Sequence, residues 1–309
     1  MSEAVLAAID IYGSQLRYAE VENEEDAPPR LLRLGSCSFD FDVVDDLVRS
    51  GAPQHGGEVV AALQEAFDET EASRLRICVH PPDSFTFFTP IAAELPVRSR
   101  QEQIHQQAAL LTGTRDPEGL DLASQTVRTA QDSEGEAVMW VHVLATPGAV
   151  HERLGHLASS LPVTGFDWVV STQAAARVAA QTDLTGITQA QALRPFTMSV
   201  GRYDGHTEYT LSRDRQWYHS HYTHEADTPT DRLYFAIGLL NRLGVSPGAV
   251  GRLFVYGLDV DSNAYAPFQT IFGVEPETLD PLSALRADRS RFGTRLDVGA
   301  FAPCVGALL

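Results

Sequence analysis

The sequence contains no lysine, and all 23 of its basic residues are arginine. A P-loop needs a lysine on its phosphates and a pyridoxal enzyme needs one for its Schiff base, so both chemistries are excluded. Cysteine is scarce as well. Cys37, Cys78 and Cys304 are widely spaced, odd in number and in no Cys-x-x-Cys pair, which speaks against a disulfide framework or a zinc ribbon and for small core residues. No apolar run reaches membrane-spanning length and the N-terminus has no basic leader, so the expected location is cytoplasmic, with no direct insertion in the bilayer. Positive charge is outweighed: 41 acidic residues give a net charge of −18. Such a surface repels nucleic-acid phosphate, and an acidic, lysine-free composition suits a protein kept soluble in concentrated salt.

At 309 residues the chain exceeds one compact domain, and two lobes are expected. The beginning sets the pattern. Residues 4–21, AVLAAIDIYGSQLRYAEV, read as an apolar strand ending at Asp10, a turn at Gly13-Ser14, and an alternating return strand. Residues 195–215 repeat it as PFTMSVG, a turn at Asp204-Gly205, and HTEYTLS. Between the hairpins the periodicity predicts an amphipathic helix over 58–67, a strand over 74–80, a break at HPPD, and a strand over 84–91. A helix opened by a capping box at Ser99–Glu102, a buried strand at AVMWVHVLA, a helix capped at Thr146-Pro147, a short strand over 165–170 and a helix capped by Ser171 follow. After the second hairpin come a strand over 216–222, a helix capped by Thr228-Pro229, a strand ending at Gly257, an edge strand at Gly273-Val274-Glu275 and a small-residue helix interrupted by Pro303. The fold class is α/β.

Four metal-like patterns fail on spacing or completeness. HERLGH places His151 and His156 roughly 140° apart on a helix, whereas zinc needs both on one face. FDFDVVDD and DVDSN lack the glycine and closing glutamate of a calcium loop, and read as acidic turns. His219 and His221, with His224 beyond, alternate along a strand and read as one polar face rather than a transition-metal site.

Two hairpin-led α/β halves, with ELP, a helix, TG and an extended segment before AVMWVHVLATPGAVHERLGHL and GFDWVVSTQAAARVA, resemble the actin-like ATPase superfamily. Within it the chain is similar to the type IV pilus assembly protein family PilM and the related cytoplasmic domain of type II secretion. The resemblance implies a two-lobed, ribonuclease H-like fold: a first lobe over 1–194 with a small inserted subdomain at about 81–135, and a second over 195–309 whose last helix returns to the first. The first phosphate motif falls on Asp10, Ile11, Tyr12, Gly13 and Arg17, with Tyr12 where a glycine is usual, Arg17 in place of lysine, and Gly13 and Ser14 offering a shifted version of the turn. The second falls on Ser199, Val200, Gly201, Thr207 and Glu208, its aspartate replaced by Ser199. The adenosine motif keeps Gly257 and then turns bulky and anionic at Leu258-Asp259.

All three motifs are degenerate, so ATP with magnesium is an expected ligand only if Gly13 and Ser14 rebuild the phosphate turn, and no catalytic residue or metal ligand is assigned. The resemblance implies a cytoplasmic scaffold, peripheral to the inner membrane through a pilus or secretion protein whose short cytoplasmic peptide it binds, with self-association an open possibility. The alternative is an active ATPase or small-molecule kinase of the same superfamily.

Overall fold

The computed structural model describes residues 5–23, 27–114, 117–131, 134–182, 189–288, 292 and 296–309. The sequence reads 23–29 and 131–136 as acidic turns, and parts of both lie outside the described residues.

Two five-stranded sheets of the same design carry the chain. The first has the order β3-β2-β1-β4-β8, built from β1 (Val5–Tyr12), β2 (Gln15–Glu22), β3 (Arg30–Ser38), β4 (Arg74–Val79) and β8 (Phe166–Val170). Its hairpin strands are antiparallel and the β1-β4-β8 half is parallel. The second has the order β11-β10-β9-β12-β13, from β9 (Phe196–Arg202), β10 (Thr207–Arg213), β11 (Gln216–Thr223), β12 (Val250–Gly257) and β13 (Pro276–Thr278). Antiparallel hairpins and parallel inner pairs recur there. β1 and β12 are buried along almost their whole length, which is why they read as apolar runs rather than alternating strands.

Inserted after β4 is a three-stranded antiparallel sheet of order β5-β7-β6, from β5 (Phe85–Ala92), β6 (Leu120–Gln131) and β7 (Ala137–Pro147). The sheet therefore runs past residue 135, because AVMWVHVLATP is its central strand. Helix α2 (Val97–Thr112) covers it with Ile104 and Ala108, and Gly113 ends that helix in the left-handed conformation at φ 67°.

The remaining helices are α1 (Gly56–Ala66), α3 (Gly148–Ala158), α4 (Ser171–Gln181), α5 (Gln189–Ala192), α6 (Pro229–Arg242), α7 (Ala266–Phe272) and α8 (Ala302–Leu308). α1 and α3 bury Val59, Leu63, Val150 and Leu154 on one face of the first sheet, and α6 and α7 bury Leu239, Leu240, Phe268 and Phe272 on the second. Between the two sheets lie α4 and α8, in contact so close that a side chain on Gly306 would meet the Ala174 carbonyl oxygen at 2.1 Å. α8 also buries Cys304, Val305 and Leu308 against Leu6, Ala8 and Cys78 of the first sheet. Pro303 stands in the first turn of α8, where a missing N–H costs nothing, so it starts that helix rather than interrupting it.

Of the helix N-caps read from the sequence, only that of α6 is formed. Thr228 and Asp231 form a reciprocal capping box at α6. At α2 the cap position is Pro96 and at α3 it is Pro147, neither with a side-chain cap bond; Thr146 instead bonds the Asp121 carbonyl. The edge strand β13 lies just beyond the expected Gly273–Glu275, because Gly273 is spent on the left-handed C-cap of α7.

Candidate functional site

The tips of the two hairpins face each other across the lobe boundary, and that is where the buried charge gathers. Asp10 lies on β1 opposite Arg17 in register, and their side chains come to 3.7 Å with both buried. Glu208 lies on β10, between Gly201 of β9 and Tyr222 of β11. Joining them is His80, the residue between the end of β4 and the 3-10 turn Pro81–Asp83. Its Nε2 is 2.9 Å from Asp10 Oδ1 and its Nδ1 is 2.8 Å from Glu208 Oε1, and all three side chains are wholly buried.

A carboxylate oxygen only accepts, so a ring flanked by two of them donates from both nitrogens and is an imidazolium. Burial alone pushes the His80 pKa down, but the charges of Asp10 and Glu208 outweigh it and raise the value to about 10. Burial likewise opposes ionisation of Glu208, yet the His80 charge and the hydrogen bonds from His206 and His80 hold it below the usual carboxylate range. His206 Nε2 donates to Glu208 Oε1 at 3.1 Å, and burial keeps that ring neutral, its pKa lowered. Ser171 Oγ at 2.5 Å and Tyr256 Oη at 2.7 Å complete the set. Two buried anions, Asp10 and Glu208, thus face two buried cations, His80 and Arg17, and four donors saturate Glu208.

Aromatic rings fill the space around this core. Tyr12 packs on His80 and Tyr203 with ring centroids 5.1 and 4.9 Å apart, and Tyr203 stacks on His206. Tyr12 Oη also accepts from the Gly205 backbone N–H at 3.1 Å, so the first hairpin is stitched to the turn of the second.

Seven of the motif residues, Asp10, Gly13, Ser14, Arg17, Gly201, Thr207 and Gly257, make up the candidate nucleotide site read from the sequence, and they divide on this geometry. Asp10 and Arg17 enter the cluster. Gly13, at φ +55°, makes the tight turn of the first hairpin, and its carbonyl accepts from Val43, while the carbonyl of exposed Ser14 accepts from Phe39. Gly201 matters for what it lacks. A Cβ there would lie 2.6 Å from the Tyr256 ring, so the bare backbone is what lets Tyr256 reach Glu208 across β9. Gly257, at φ +100°, passes so near the Arg202 backbone that a Cβ would meet its carbonyl oxygen at 2.1 Å. Thr207 follows the strand alternation to the opposite face, where it bonds Arg232 and the Ala226 carbonyl, away from the cluster.

Sequence reasoning missed His80, His206 and Tyr256, and read Ser171 as a helix cap. Val170 is the cap residue of α4, and the Ser171 hydroxyl goes to Glu208. The one available signal was that the second phosphate motif keeps an acid at Glu208 while its first aspartate has become Ser199.

A nucleotide does not fit these residues. Asp10 is bonded to His80, Tyr12 closes the turn that would wrap phosphate, and Gly257 is pressed onto Arg202. Among the described residues, His80, His206 and Glu208 are the grouped donors within reach of one metal ion. They do not present a free set either: both His80 nitrogens serve carboxylates, and Glu208 Oε1 already takes three donors. Among the described residues His219, His221 and His224 form no such group; His224 Nδ1 bonds the Gly205 carbonyl.

Comparison with solved structures settles the fold. The structure of a PilM–PilN type IV pilus biogenesis complex aligns over 99% of this chain and 98% of the matched chain, with a TM-score of 0.68 and 16% identity. This chain has the actin-like fold. A Bacteroides thetaiotaomicron protein described as having an actin-like ATPase fold and unknown function aligns over 91% of this chain and 94% of its own, with a TM-score of 0.52 and 10% identity. No family model matches the sequence, and no curated protein matches it. At such identities the likeness is one of fold, and the site must be argued from its own residues. No helix among the described residues is long and apolar enough to cross a membrane.

Proposed function

We propose that this chain is a cytoplasmic actin-like scaffold of a type IV pilus or type II secretion assembly, one that holds a short cytoplasmic peptide of an inner-membrane partner and does not hydrolyse ATP. The observation that carries the reading is the His80 bridge. The place where an actin-like enzyme holds phosphate between its hairpins is here filled by side chains of the protein itself. In this reading the chain divides near residue 194 into its two lobes.

The dock lies where the inserted sheet meets the first lobe. Two hollows line that junction. One of about 380 Å3 is walled by Val48, Pro82, Phe85, Val150 and Tyr222. The other, about 160 Å3, lies between β6, β7, β8 and α4, against Gln125, His142, Trp168 and Arg177. Phe85 is 44% exposed at the first, an apolar ring awaiting cover. The full-length alignment to a PilM–PilN complex supports a partner of this class.

Calorimetric titration of magnesium-ATP into the folded protein in high salt tests the reading, together with capture of the host's inner-membrane pilus or secretion proteins. No heat alongside capture of such a protein is the expected result. Turnover of ATP that disappears in Asp10→Asn would reverse it in favour of the enzyme.

A further inference from the structure

The bridge has a position as well as a chemistry. His80 immediately precedes Pro81-Pro82, and Pro82 through Phe85 form one wall of the 380 Å3 groove. Glu208, its partner on the second lobe, sits directly opposite Tyr222 in the β10-β11 register, and Tyr222 lines the same groove. The third wall, Val48, Arg49 and Val150, belongs to the first lobe, and Arg49 is ion-paired to Asp83 of the first wall. The groove is therefore assembled from three bodies. Two of its walls are fastened to each other one or two residues away by His80 and Glu208, through a diproline whose fixed φ angles leave little slack.

Where two lobes close over a cleft, closure comes from a ligand that both lobes grip. Here both lobes grip an imidazolium. We propose that His80 takes the place of a nucleotide as the closure element, holding Tyr222 of the second lobe against the Pro82–Phe85 wall, so that partner docking depends on a side chain the docked peptide never touches. This rests on the scaffold reading above for the identity of the occupant. The closure itself does not. His80 is wholly buried behind the groove, so it acts as a positioning residue.

The test separates the two parts. Ala61 on α1 and Asn241 on α6 are exposed, one on each lobe, and take spin labels as Ala61→Cys and Asn241→Cys in a Cys37→Ser background. Pulsed electron resonance then reads lobe separation, and hydrogen exchange reads the segment 79–86, both without any partner. In His80→Ala the label separation should lengthen and broaden, and amides of 79–86 should exchange about tenfold faster or more. Glu208→Gln keeps the shape and removes one charge; it should shift both readouts in the same direction and answers the question if His80→Ala does not fold.

A fluorescein-labelled synthetic peptide copying the cytoplasmic tail of the host's PilN homologue should bind the wild type, and bind His80→Ala about tenfold more weakly or worse. Unchanged separation and exchange in the folded variants overturn the closure role. Lengthened separation with unchanged peptide affinity overturns its link to docking. A wild type that binds no such peptide overturns the scaffold reading, while the label separation still decides whether His80 closes the lobes.

Discussion

Two histidine clusters lie between the bodies of this protein, and they are opposites. At the hairpin tips His80 is a cation held by Asp10 and Glu208. Between the inserted sheet and β11, His142 and His219 crowd against Phe88 and Trp217, and among the described residues no carboxylate bonds either ring. Burial dominates there, lowering His142 to about 3 and His219 to about 4, with His219 further disfavouring a charge on His142, and Arg128, His221 and Arg242 one on His219. Among the described residues, His142 Nε2, His219 Nδ1 and Trp217 Nε1 find no hydrogen-bond partner. The lesson is that a buried histidine becomes a charge or a neutral ring according to whether the neighbouring acids outweigh desolvation: His80, between two, is charged, while His206, with a share of one, stays neutral. The first junction is fixed by buried ion pairs, the second by ring packing with one Arg128–Tyr218 hydrogen bond beside it.

The largest blow to this contrast should come from His80→Ala, which strands two carboxylates in the interior. Breaking a buried ion pair by removing one partner costs about 3–5 kcal/mol, and denaturant unfolding in high salt should show a loss of that order. Next is the alkaline limb of stability. A folded-state pKa raised to about 10 from 6.5 gives stability that is full below pH 6.5 and drains away as pH climbs to 10. The melting temperature should fall across that window, and His80→Asn should flatten the fall.

Tyr256→Phe removes one hydrogen bond to a buried charge, worth about 2 kcal/mol, and leaves Glu208 Oε2 without its donor. The second junction predicts the opposite pH slope. Neutral buried rings give stability that is present above pH 6.5 and lost as pH falls towards 4 and then 3. His142→Phe should therefore soften the acid limb in a thermal titration and leave the alkaline limb alone. Smallest is Tyr12→Phe, about 1 kcal/mol for the single bond to Gly205; if it restored ATP binding in calorimetry, Tyr12 rather than His80 would be the plug.

Much of the frame was legible in advance. Both hairpins and the buried strand at 137–147 announced themselves by period and turn chemistry, because a strand buried on one face must alternate and a two-residue turn needs glycine. The degenerate phosphate motifs were visible too. What replaced them was not. Asp10 and Gly201 are where the motifs put them, yet Gly201 serves a tyrosine 55 positions further along the chain, from 201 to 256. Ser171 read as a cap because its neighbours have the pattern of one, and nothing local says that a carboxylate waits across the cleft.

By itself, then, the sequence determined the elements, their order and the absence of lysine chemistry, since these follow from local propensity, periodicity and composition. Only the tertiary structure decided that His80 meets Asp10 and Glu208. Those contacts span 70 and 128 positions of chain and exist only when two lobes close on each other. The charge of a histidine is a property of that meeting, because desolvation and neighbouring acids, which set it, are created by the fold.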